Sequence, residues 1–196
     1  MDQNSYKELQ KTLIQVCFRI VKRGEGALFV VGDVPFALLI EQSVPSFKAV
    51  DNPKLLESLA LIDGAVIIDF RGYVKSYGVM INSHKTFKNH GTRHSAAFSA
   101  ARGNNLVFLV SEEDQKVRIF HKEKKIMELN GRGKHPLGTK QVRDVVNVLE
   151  AFGAGTVGVI GTSLVAPSFG VALIPGVIIF GSAYYLLRNL SNRIMN

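Results

Sequence analysis

From Ala151 to Leu187 the chain has no charged residue, which splits it into a polar body and an apolar tail. As one unbroken helix that run would measure about 55 Å at 1.5 Å per residue, well past the roughly 30 Å of hydrocarbon in a bilayer. Pro167-Ser168-Phe169-Gly170 falls near its middle, so the pattern predicts two apolar helices joined by a tight turn. The first half is short, about 16 residues, so the hairpin either spans the bilayer or inserts as a shallow, re-entrant one. Lys140 and Arg143 precede the run, and Arg188 and Arg193 follow it. Positive residues favour the cytoplasmic side, and a hairpin keeps both basic ends there.

The tail also holds Gly153-Ala154-Gly155-Thr156-Val157-Gly158, a letter-for-letter Gly-x-Gly-x-x-Gly. It follows no predicted strand, and no Asp or Glu lies downstream to take a ribose hydroxyl, so it is not a dinucleotide fingerprint. Small residues at intervals of three or four serve close helix packing in lipid instead.

The body is long enough for one core of ordinary size and too short for two enzymatic domains. Its order predicts an α/β class, with helices on both faces of a mixed sheet. Ser5-x-x-Glu8 reads as a capping box ahead of Leu9, Leu13, Val16, Cys17, Ile20 and Val21 at helical spacing. Lys22-Arg23-Gly24-Glu25-Gly26 ends that helix, and Ala27–Val31 is a buried strand. Residues 36–50 read as a short strand or irregular cover. Asn52-Pro53 caps a short helix whose packing side is Leu55, Leu56, Leu59 and Leu61. Val66–Asp69 and Val74–Ile81 read as paired strands, followed by a polar, basic loop from Asn82 to His90 with Lys85 and Lys88. A small-residue helix from Thr92 to Arg102 stops at Gly103, and Leu106–Val110 and Val117–His121 are two further strands. The expected division is 1–135 for the α/β domain, 136–150 for an amphipathic linker helix and 151–196 for the hairpin with a basic tail.

Cys17 is the sole cysteine, which excludes a disulfide framework and suits a reducing compartment. Met1-Asp2-Gln3-Asn4 leads straight into the first helix with no secretory pattern, so the polar body is expected in the cytoplasm. A net charge of +8 draws anions of every kind. Its basic residues gather ahead of the apolar run, at Lys116, Arg118, Lys122, Lys124, Lys125, Arg132, Lys134, Lys140 and Arg143, where a juxtamembrane segment meets acidic lipid. No aromatic residues interleave with them as a stacking platform, so nucleic acid is not the expected partner.

Two stretches carry the chemistry. Asp63-Gly64-Ala65 sets a carboxylate at the head of an apolar strand, where it can hold a cation. Gly91-Thr92-Arg93-His94-Ser95-Ala96-Ala97 opens a helix with a hydroxyl, a guanidinium and an imidazole, and the free N–H groups of a helix start attract phosphate. Together they describe a metal-nucleotide site. His84, His90, His121 and His135 have no metal-ligand spacing and receive no role.

With Leu61-Ile62-Asp63-Gly64-Ala65-Val66-Ile67-Ile68, Gly91-Thr92-Arg93-His94-x-Ala96-Ala97 and Leu109-Val110-Ser111-Glu112-Glu113 in this order, the region from about residue 20 to 125 resembles the diadenylate cyclase (DAC) domain. The resemblance implies an enzyme that condenses two ATP into cyclic di-AMP with Mg²⁺ or Mn²⁺, working as a homodimer or larger assembly with facing sites. It implies Asp63 as metal ligand beside the attacking hydroxyl, Arg93 and His94 at the triphosphate, and Thr92 and Gly91 on phosphate. Gly64 and Ala65 would admit the nucleotide close to backbone, Met80 and Ile81 would contact adenine, and Ser111, Glu112 and Glu113 would form the acidic turn at the site. One position departs: the family pattern is Arg-His-Arg, and here its third residue is Ser95. That departure motivates a second expectation, a catalytically weak nucleotide-sensing membrane module with the hairpin as output.

Overall fold

The computed structural model describes residues 3–82, 92–131, 138–154, 165–166 and 171–172. Helix α1 (Gln3–Lys22) buries all six of the apolar residues whose spacing announces it, Leu9 through Val21. It already includes Ser5, so that residue sits in the first turn and not ahead of it as a cap. Strand β1 (Ala27–Val31) follows, then two short strands, β2 (Phe36–Leu38) and β3 (Phe47–Lys48), within the stretch that shows no period. Helix α2 (Pro53–Ala60) begins on its proline, although the Asn52 side chain makes no cap bond. Leu56 and Leu59 are buried there, while Leu55 faces outward at 37% exposure.

Strands β4 (Ala65–Ile68) and β5 (Tyr73–Ile81) are joined by a tight turn. The Asp69 carboxylate closes it, accepting from the backbone N–H of Arg71 and of Tyr73, each at 2.9 Å. Helix α3 (Thr92–Ala100) leads to β6 (Leu106–Ser111), β7 (Lys116–His121) and β8 (Lys124–Asn130), a strand that basic residues obscure in the sequence. Helix α4 (Thr139–Ala154) closes the body.

The sheet runs β2-β5-β4-β1-β6-β7-β8, with β3 also on β5. Of the described pairs, β1–β4 is parallel and the others are antiparallel. The central strands β1 and β6 are buried along their whole length, as strands covered on both faces must be. Alternation divides their side chains between two cores. Phe29, Val31, Phe108 and Val110 face α1, α2 and α4, while Leu28, Val30, Val107 and Leu109 face α3. Each fully buried Phe or Leu contributes about 1.5–3 kcal/mol, so the larger core anchors the sheet. Against the second core α3 places Ala97 and Ala100, followed by Ala101, all without exposed surface. Small side chains bring its backbone close to the strands.

Helix α4 packs on α1, with Val142, Val145, Val146 and Leu149 in the larger core and Lys7 paired to Glu150 at 2.9 Å. Beyond it, Val165–Ala166 (β9) and Val171–Ala172 (β10) pair antiparallel with each other, and β10 pairs with β8. These four residues are extended and flank the expected turn; apart from residues 151–154 at the end of α4, the rest of the apolar hairpin lies outside the described residues. Among the described residues no helix is long and apolar enough to cross a membrane.

The basic stretch is less free than its sequence suggests. Lys116, Arg118 and Lys125 all converge on Glu128, at 2.6, 2.9 and 2.9 Å. Burial alone would raise that carboxyl, but the hydrogen bonds and charges of the three cations hold it down to about 2. Arg132 and Lys134 lie outside the described residues.

Candidate active site

At one end of the sheet β1 and β4 begin while β5 and β6 finish, and α3 starts beside them. The cleft at this junction has a volume of about 570 Å³, within the range of small-molecule sites. Its walls include Asp63, Gly64, Ala65, Met80, Ile81, Thr92, Arg93, His94, Ser111, Glu112 and Glu113. Every site residue expected from the sequence is therefore present in one cleft except Gly91, which lies outside the described residues.

Strand ends and a helix start place these groups for physical reasons. Gly64 has φ +107°, and a Cβ there would lie 2.7 Å from the backbone N and O of Val79. The glycine is thus required by the approach of β5 backbone, whatever the ligand. It leaves Asp63 at the lip of the cleft, its side chain 91% exposed and its Oδ1 accepting from the Gly64 N–H at 3.0 Å. Across the mouth, Arg93 in the first turn of α3 reaches Asp63 at 3.6 Å and Glu112 at 3.9 Å. One guanidinium thereby bridges the β4 lip and the turn after β6. Ile81 is buried, and Met80, half exposed, offers an apolar surface on the wall.

Two participants escape a reading of the sequence. Gly26 looks like a helix terminator, yet a Cβ at this position would stand 2.4 Å from Arg93 Nη1, so its bareness makes room for the guanidinium. Arg118 looks like one cation of a basic stretch. It is nearly buried, with its side chain 11% exposed, and its Nη1 lies 3.1 Å from His94 Nε2. Leu28, Leu39 and Val79 add apolar wall that no motif marks. Ser111 is buried, and its hydroxyl hydrogen-bonds Asp114.

Among the described residues no three His, Cys, Asp or Glu side chains gather as a preformed metal cage. Asp63 presents one exposed carboxylate, a donor set that suits a hard cation held jointly by one carboxylate, phosphate oxygens and water. With Asp63, Glu112 and Glu113 against Arg93, the cleft mouth is acidic on balance among the described residues. A polyphosphate entering it needs a countercharge, which a divalent cation would supply.

A two-faced α/β domain with a nucleotide-sized cleft, a helix start and an exposed carboxylate at the lip is a nucleotide-binding domain in design. The chain belongs to the DAC family, described as the DisA bacterial checkpoint controller nucleotide-binding domain, whose model matches residues 15–125. Among solved structures, a double cysteine mutant of DacA from Staphylococcus aureus shares the fold at TM-score 0.50 and 17% identity, over 75% of this chain and 96% of that one. A hypothetical membrane-spanning protein from Bacillus cereus aligns at TM-score 0.44 and 20% identity, over 57% of this chain and 59% of that one. No curated protein matches significantly.

Proposed function

We propose that the chain is a diadenylate cyclase, joining two ATP into cyclic di-AMP with release of two pyrophosphates. The observation that carries this is the convergence of Asp63 and Arg93, 3.6 Å apart, across a cleft that also holds Thr92 and His94. In each half-reaction a 3′-oxygen forms a bond to the α-phosphorus of the opposing nucleotide. The bond from that phosphorus to the β-phosphate bridging oxygen breaks, and the hydroxyl proton is released.

The residues of the cleft divide this work. Thr92 and the start of α3 bind phosphate oxygens, and Arg93 leaves its two carboxylates to clamp the triphosphate. Asp63 would hold Mg²⁺ or Mn²⁺, which neutralises phosphate and makes the bound hydroxyl more acidic. The apolar walls by Met80 and Ile81 take the adenine. One cleft positions one nucleotide, so the reaction requires two copies facing each other, and a homodimer or larger assembly follows from the chemistry. The apolar run after Ala154 would attach the enzyme to the membrane with the catalytic body in the cytoplasm, and the basic residues not engaged by Glu128 would meet acidic lipid.

Purified protein incubated with ATP and either metal, at several protein concentrations, should yield cyclic di-AMP by mass analysis. No product under any of these conditions would sink the proposal. Ser95, buried and uncharged where the family pattern has arginine, favours the second reading, a nucleotide-sensing module. Nucleotide binding without turnover, with a ligand-dependent change in assembly, would establish it.

A further inference from the structure

We infer that Arg118 is a positioning residue of this cleft: from β7 it holds His94 as a neutral imidazole protonated on Nδ1.

The geometry leaves the ring little choice. Arg118 is gripped on two sides, its Nε donating to Glu128 at 2.9 Å and both terminal nitrogens donating to Asp114. The third contact is Nη1 at 3.1 Å from His94 Nε2. A guanidinium has five donors and no acceptor, and it stays protonated in proteins. Burial weakens its hold on the proton, but Asp114 and Glu128 more than restore it. The Nε2 of His94 must then be the acceptor, which means that it carries no proton. A protonated ring would set N–H against N–H and one cation against another in a nearly buried place. His94 is therefore neutral, with its proton on Nδ1.

Ser95, which follows His94 in the first turn of α3, is 4% exposed and uncharged. The contact to the imidazole comes from another element, the strand β7. Since β7 alternates, Val117 and Ile119 enter the larger core while position 118 shares the other face with Phe120 in the second core, the side on which α3 lies. The two acids around Arg118 absorb much of its charge, so its task is to orient the ring.

The role in turnover rests on the cyclase reading; the state of the imidazole does not, and the two are measured separately. Side-chain nitrogen–proton correlation spectra of the full chain labelled at histidine, assigned with His94→Gln, should show His94 with a bare Nε2 and a protonated Nδ1 at neutral pH. Arg118→Ser should release the ring into mixed tautomers. A protonated Nε2 in the unaltered chain, or a spectrum unmoved by Arg118→Ser, overturns the inference. If Arg118→Ser does not fold, Asp114→Asn, which loosens the grip but keeps the guanidinium, should still partly mix the tautomers; an unmoved spectrum there counts equally against it. In the activity arm, kcat for Arg118→Ser should fall about 10- to 100-fold with little change in KM. Loss of product from the unaltered chain would remove the cyclase reading and leave the spectral result standing.

Discussion

Arg93 rests its guanidinium in the space that a side chain at Gly26 would fill, with Nη1 only 2.4 Å from where that Cβ would be. The arginine of the α3 motif is therefore seated on the residue before β1, more than sixty positions away. Gly26→Ala should push the guanidinium off its seat. Because the clash is with the far end of a flexible side chain, the fold should survive. The expected outcome is a fall in kcat/KM for ATP of about tenfold, on the scale of one charge-assisted hydrogen bond, with a thermal midpoint close to the parent.

Asp63 separates chemistry from stability most cleanly. Its side chain is 91% exposed, and an asparagine could still accept the Gly64 N–H bond through its amide oxygen. Asp63→Asn should change unfolding free energy by no more than about 0.5 kcal/mol, as surface substitutions do, while cyclic di-AMP falls below detection. Urea unfolding beside a product assay checks both halves.

Gly64→Ala should behave in the opposite way. A side chain at φ +107° is strained, and its Cβ would meet the Val79 backbone at 2.7 Å, where nothing can swing aside. A loss of about 1–3 kcal/mol from backbone strain alone is expected, with more from the clash between β4 and β5. Chemical denaturation should show the drop in midpoint even with no nucleotide present.

Acid should act through Glu128. Its carboxyl ionises at about 2 in the folded chain against an ordinary 4.5, so between those values the unfolded chain binds more protons. The contribution of its three cation contacts is complete above about pH 4.5 and is lost as pH falls through about 2. Discounted for solvent screening, it is on the order of 1–2 kcal/mol. Glu128→Gln should lower stability at neutral pH and flatten the pH dependence in that window, as measured by thermal melts across pH 2–6.

Much of the fold could be read directly. Helix α1 buries its periodic residues, and β1, β4 and β6 are the apolar runs. Strand β8 was hidden, because Lys124, Lys125 and Glu128 break its apolar pattern, and Glu128 is stabilised by Lys116 and Arg118 across on β7 and by Lys125 in its own strand. For residues 36–50 the sequence left a short strand or irregular cover open, and pairing with β5 decides for the two short strands β2 and β3.

The site divides along the same line. Local order in the chain sufficed for Asp63-Gly64-Ala65 and Thr92-Arg93-His94, because a strand head and a helix mouth each have their own chemistry in a few consecutive residues, whereas Ser111-Glu112-Glu113 entered through the resemblance to the DAC domain. The seat under Arg93 and the partner of His94 were decided by tertiary structure alone. Gly26 and Arg118 matter through what packs against them from other elements, and neither a bare Cα nor one cation among many announces its neighbour in sequence.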